Sequence, residues 1–211
     1  MRYFLALLPL VCLGASACHL TSSSDDGASE WTELFNGKDL GGWTPNENPE
    51  SWSVKDGALV VKGPRSHLFY SGETEPFVDF ELEAVVMTMP NSNSGIYFHT
   101  QPQPTGWPKY GFECQVNNTY KDPQKTASLY GVVKITDAPA RDNEWFTINI
   151  RVEGKHVVIK VDGNLVTDYT EPDDAVAGED FTRVVDRGTF ALQGHDPDSE
   201  VHYKSIRVRR L

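Results

Sequence analysis

Trp145-Phe146-Thr147-Ile148-Asn149-Ile150-Arg151-Val152-Glu153-Gly154-Lys155-His156-Val157-Val158-Ile159-Lys160-Val161-Asp162-Gly163-Asn164-Leu165-Val166-Thr167-Asp168-Tyr169 decides the fold class. Phe146, Ile148, Ile150 and Val152 alternate with polar residues, a period of two that turns one strand face to a core and the other to water. Glu153-Gly154-Lys155 reads as a tight turn, after which Val157, Ile159 and Val161 form the inward set of the next strand. Asp162-Gly163-Asn164 is a hairpin signal, because glycine accepts the positive φ such turns need. Leu165–Tyr169 then completes a three-strand antiparallel meander.

The same period runs through Phe77–Met89, where Val78, Phe80, Leu82, Ala84 and Val86 share one face and Asp79, Glu81 and Glu83 the other. Further strands are expected at Trp52–Lys55, Ala58–Lys62, Leu68–Tyr70, Gly95–Gln101, Tyr110–Asn117, Leu129–Ile135, Thr189–Gly194 and Val201–Arg209. Pro172–Asp180 reads as an acidic loop with one helical turn, and Trp52 and Trp145, at strand starts, read as core. About a dozen short strands set apart by Gly, Pro and Asn turns predict an all-β, two-sheet antiparallel sandwich or jelly roll, one sheet of which can curve to offer a concave polar face. At 39% hydrophobic and 11% aromatic the chain is too apolar for disorder. Its 211 residues suffice for a core without disulfides or metal. The net charge of −11 argues against nucleic acid, whose phosphates would repel it.

The N-terminus predicts export. Arg2 precedes the apolar run Tyr3 to Gly14, too short to span a bilayer, and Ala15-Ser16-Ala17 leads into Cys18. This arrangement resembles the lipobox of bacterial lipoproteins, which implies a signal peptide over 1–17 and lipidation of Cys18. A membrane partner through that lipid anchor, and a place in the bacterial cell envelope, follow. Residues 18–30 are a Ser-rich, acidic tether, and 31–211 a single domain. Loss of Met1–Ala17 leaves 18 basic and 30 acidic residues, a charge of −12. Cys114 is then the only thiol in the fold, read as a small buried hydrophobe.

Serine-hydrolase elbows, phosphate loops, dinucleotide fingerprints and paired-histidine zinc helices are missing from the sequence. No cofactor is expected. Asp173-Asp174 could suit calcium, but EF-hand spacing is not there. Three strands carry polar residues on one face: Glu113, Gln115 and Asn117; Tyr97 and His99, preceded by Asn93; and Gln193 and His195. Alternation alone does not say whether these faces meet. If they do, they assemble a carboxylate, two imidazoles and two amides, a set suited to proton transfer and hydroxyl binding. Trp107 in Trp107-Pro108-Lys109-Tyr110 is either a platform for a sugar's C–H face or a loop aromatic folded onto the sandwich.

Several stretches together resemble the 3-keto-disaccharide hydrolase family, formerly domain of unknown function 1080. They are Leu34-Phe35-Asn36-Gly37-Lys38-Asp39-Leu40 with Gly42-Trp43, Trp52 to Leu59, Ser92-Asn93-Ser94-Gly95-Ile96-Tyr97-Phe98, Tyr110 to Val116, Leu192-Gln193-Gly194-His195 and Val201 to Arg209. The resemblance spans Trp31 to Leu211 and implies a concanavalin A-like sandwich of the lectin/glucanase type. It also implies a glycoside or oligosaccharide substrate whose C3 hydroxyl is already a ketone. That ketone acidifies the C2 proton, so a base can form an enolate that expels the aglycone from C1, and water addition completes hydrolysis. On those motif positions Glu113 or His195 is the candidate base, and Gln115, Gln193 and His99 hold hydroxyls or the enolate; Tyr97, Asn93 and Trp107 are further candidate substrate contacts. His99 stands where the family often shows Arg, and Lys134, which follows a Leu-Tyr-Gly stretch resembling the family, would supply positive charge at the enolate. A non-catalytic carbohydrate-binding module and an adhesive envelope domain are the alternatives on the same fold.

Overall fold

The computed structural model describes Met1 and residues 30–211. The leader, Cys18 and the tether before Glu30 lie outside the described residues. Within them the meander forms as β9 (Phe146–Glu153), β10 (His156–Val161) and β11 (Asn164–Thr170), with Val152 opposite Val157 and Ile150 opposite Ile159. The other strands are β1 (Thr32–Glu33), β2 (Trp43–Pro45), β3 (Trp52–Lys55), β4 (Ala58–Lys62), β5 (Ser66–Tyr70), β6 (Phe80–Thr88), β7 (Ser94–Thr100), β8 (Phe112–Val116), β12 (Thr189–Gly194) and β13 (Glu200–Arg210). They make two antiparallel sheets. The larger runs β11-β10-β9-β6-β13-β4-β3 with β1 beside β13, and the smaller runs β2-β5-β12-β7-β8. The sandwich expected from the strand pattern is the fold observed.

The core lies between the sheets because each strand alternates. Phe80, Leu82, Ala84 and Val86 of β6 and Ile148, Ile150 and Val152 of β9 are fully buried, as are Leu68, Ile96, Phe98, Phe112, Phe190 and Leu192 of the smaller sheet. Phe190 sits 4.6 Å from Phe77 and 5.0 Å from Phe80, centroid to centroid. On the other face of the smaller sheet, Phe69, Tyr97 and Ala191 form a separate small cluster.

Four local expectations are corrected. Val78 precedes β6 and is exposed rather than inward. Trp145, just before β9, is 41% exposed and lies under Lys204 and beside His202 on the outer face. Leu129–Ile135 is no strand: an irregular segment, residues 126–130, bonds along the outer edge of β8 through Ala127 N–H to Gln115 O and Tyr130 N–H to Glu113 O, both 2.9 Å. Pro172–Asp180 contains a reverse turn, Ala175 N–H to Pro172 O, in place of a helical one; the helical turn among the described residues is Pro49–Ser51.

Candidate active site

β12, β7 and β8 are neighbours, so the three polar faces meet. One register row, Thr44–Phe69–Ala191–Tyr97–Glu113, crosses all five strands of the smaller sheet on the side away from the core. Gln193, Gly95 and Gln115 occupy the same face. A cavity of about 240 Å³ opens there, lined by Asn93, Tyr97, Trp107, Glu113, Gln115, Gln193 and His195, and also by Asp122, Tyr130, Phe181 and Arg183.

Glu113 is its centre. Tyr97 Oη donates to Oε2 at 2.8 Å and Gln193 Nε2 to Oε1 at 2.8 Å. Gln115 brings its amide within 3.0 Å of both Glu113 Oε1 and Asn93 Oδ1. To reach Gln193 on β12, Glu113 must lie across β7, and it lies over Gly95. A Cβ at position 95 would meet Glu113 Cγ at 2.8 Å and press on Oε1. Burial pushes the Glu113 carboxyl up to about 7, against the hydrogen bonds from Tyr97 and Gln193 and the charge of Arg183. Burial and the neighbouring carboxylate raise the Tyr97 phenol well above its ordinary value, so Tyr97 is a donor at neutral pH.

Beside this group, His195 Nδ1 lies 2.6 Å from Asp196 Oδ2. Asp196 is fixed by Asp198 N–H (2.9 Å) and by Ser199 N–H (3.0 Å) and Oγ (3.1 Å). Burial opposes its charge, yet the bonds from His195, Asp198 and Ser199 hold it below the usual carboxylate range. The His195 ring is held by Trp107 at 5.2 Å and Tyr120 at 5.4 Å, which leaves Nε2 as the nitrogen not committed to Asp196. Trp107 lines the cavity, its loop clamped by Gln103, which donates to Trp107 O and accepts from Lys109 N–H. Arg183 stacks over Tyr130 and Phe181, and Tyr130 Oη donates to Asp122 at 3.0 Å.

Two expected members do not join. His99 turns to the core side, edge-on to Phe80 at 5.5 Å, with Nε2 2.8 Å from Val78 O and Nδ1 accepting from Asp186 N–H. The cause is a bulge: Phe98 and His99 together oppose Phe190 alone, and His99 takes φ 53°. Burial lowers its proton affinity. Lys134 sits in the loop after Val133, outside the cavity wall, and the cation lining the cavity is Arg183. Asn117 is buried and turned to its own loop, donating to Asp122 O and Gln124 O. Sequence reasoning missed Asp122, Tyr130, Phe181 and Arg183, which irregular segments bring in from afar. It also missed Asp196, which its position beside His195 and the turn residues Pro197-Asp198-Ser199 could have flagged. Among the described residues no three His, Cys, Asp or Glu side chains gather as a metal site.

Residues 30–209 match the family model described as a 3-keto-alpha-glucoside-1,2-lyase-like domain. A candidate glycosyl hydrolase from Parabacteroides distasonis ATCC 8503 is similar in structure, with TM-score 0.72 and 22% identity over 86% of this chain and 94% of that one. The β-glucanase of Bacillus licheniformis is similar at TM-score 0.55 and 16% identity, over 89% and 100% of the two chains. The carbohydrate-binding module CBM66 from Bacillus subtilis gives TM-score 0.56 and 16% identity, over 80% and 95%. These three likenesses establish the shared jelly-roll fold. No curated protein matches the chain.

Proposed function

This chain belongs to the 3-keto-alpha-glucoside-1,2-lyase-like family, a carbohydrate-active, glycosidase-type family, and from that premise we propose that it cleaves 3-keto-glycosides by abstracting the C2 proton. The observation that carries the reading is Glu113: a half-buried carboxyl on the cavity floor, held by two donors, with a proton affinity near neutrality. A base tuned in this way combines a useful ionised fraction with driving force for proton transfer. Removing the C2 proton puts negative charge on the C3 oxygen, where the Arg183 guanidinium is the cation at hand. Collapse of the enolate breaks the C1–O bond, and the leaving oxygen takes the Nε2 proton of His195 in its imidazolium form, whose Nδ1–H Asp196 accepts; the ring regains a proton from the water that adds at C1. Water adding across the resulting C1–C2 double bond completes hydrolysis. Trp107 offers a ring face for the sugar's C–H surface.

Incubation with a 3-keto-disaccharide in heavy water, followed by mass spectrometry, tests this. Deuterium at C2 of the released sugar is the expected result, and Glu113→Gln is expected to lose it. A substrate that binds but stays intact would instead place the chain with the non-catalytic carbohydrate binders. The proposal extends to the N-terminus: export, lipidation at Cys18 and a membrane-anchored working domain over residues 31–211. Cys18→Ala is expected to release the protein from the membrane fraction and abolish labelling by a radioactive fatty acid.

A further inference from the structure

We infer that His67 and the side-chain oxygen of Gln193 form a hydroxyl-reading subsite beneath Trp107, which selects the glycoside by one ring hydroxyl remote from the reacting carbons. The inference rests on the proposed function for the identity of the sugar, and on the structure alone for the subsite.

His67 of β5 and Gln193 of β12 are directly opposite each other in the ladder. The Gln193 nitrogen is committed to Glu113 Oε1 at 2.8 Å and Tyr97 Oη at 3.1 Å, so its oxygen is turned away from that pair. This oxygen is buried and has no hydrogen-bond partner among the described residues. His67 is fully buried, and neither ring nitrogen has a partner among those residues either. Its ring stands edge-on to Tyr97 at 5.5 Å and to Trp107 at 5.3 Å, and both of those side chains line the cavity. Gln193 lines the cavity and His67 lies behind its wall, under Trp107; buried polar atoms are nearly always satisfied, so unsatisfied atoms on two residues paired in the ladder at this wall point to a bound group.

The chemistry of that group follows from what is unmet. Burial drives the His67 imidazole down to about 3, so it is neutral, with one N–H to give. The Gln193 oxygen only accepts. A single atom that accepts from His67 and donates to Gln193 would meet the unmet donor and the unmet oxygen together. A carbonyl or carboxylate cannot donate, and an ammonium cannot accept; a hydroxyl does both. Local charge is also balanced, because the nearby Glu47 and Arg65 pair with each other at 2.9 Å. An uncharged polyol ring under an indole fits the surroundings. In the proposed reaction C1, C2 and C3 belong to His195, Glu113 and Arg183, which leaves the C4 or C6 hydroxyl for this subsite.

The test compares wild type, His67→Phe and His67→Gln on p-nitrophenyl 3-keto-glucoside and its 4-deoxy and 6-deoxy analogues. Wild type is expected to lose roughly tenfold or more in kcat/KM on one deoxy analogue only. His67→Phe should lose a similar factor on the parent and nothing further on that analogue, while His67→Gln, which keeps a donor, retains most of the discrimination. Equal losses on all three substrates, or none, would overturn the subsite: the first makes His67 a packing residue and the second leaves it to water alone. Glucose and its two deoxy forms, titrated by tryptophan fluorescence, separate this from the reaction. If wild type turns over none of the 3-keto probes the proposed function falls. Binding of glucose over one deoxyglucose that His67→Phe abolishes would still uphold the subsite, and equal binding of all three sugars would overturn it.

Discussion

Glu113 carries opposite consequences for activity and for stability. With its carboxyl raised to about 7, kcat/KM is expected to climb as pH rises through about 7, and Glu113→Gln to lose roughly a hundredfold or more. The raised value has a sign for folding too. A carboxyl that holds its proton more tightly when folded favours the fold below its unfolded value near 4.5, and that contribution fades as pH rises through 7. Urea melts of wild type and Glu113→Gln should therefore diverge by about 3 kcal/mol between pH 4 and pH 8, with wild type losing ground. Glu113, Gln115, Gln193 and His195 were legible as candidates because strand alternation singles out polar side chains. Arg183 and Tyr130 were not, since loop residues carry no periodicity and reach the cavity only through the tertiary fold. His67 was hidden differently: the residue pattern set the strand at Leu68–Tyr70, and only the structure extends it back to Ser66 and takes in His67.

At the scale of strands, the site depends on a missing side chain and an extra residue. Gly95 gives β7 a bare spot over which Glu113 crosses from β8 toward β12. Gly95→Ala should swing the carboxyl off the sheet, with a drop in kcat on the order of a hundredfold, since misplacement by about an ångström suffices. Carbon-13 NMR of the Glu113 carboxyl should show its titration falling back toward the ordinary range. The extra residue is at the bulge, where His99 leaves the cavity for the core. His99→Asn, which tolerates the positive φ but gives up the ring contacts, is expected to cost about 2 kcal/mol of stability and leave KM within roughly twofold. A period of two shows which residues share a face only while the period holds. Neither the bulge nor the flattened path of residues 126–130 announces itself in the residue pattern, so the strand order and the His99 position had to come from the fold.

The whole molecule rests on the layer between the sheets. Phe80 of the larger sheet touches Phe98 and Phe190 of the smaller one and the His99 ring, so it couples both layers and the bulge. Phe80→Ala should cost about 3–5 kcal/mol in denaturant melts, in one cooperative transition. The two-layer architecture was legible from the meander and its neighbours, because alternating faces have few other ways to hide. The ends of the sheets matter for a different reason. Residues 126–130 occupy the outer ladder of β8, β2 is three residues long and ends in Pro45, and β3 is four residues long and ends in Lys55. A β-rich chain with bare margins would invite a second copy to continue its sheet, and a third to continue that one. Here one margin is already taken by the chain itself, and two others are too short or too awkward to copy. The fourth margin, the seven-residue β11, has no strand beyond it, so a second copy that continued a sheet would be steered to that single edge, and growth there would stop at a pair.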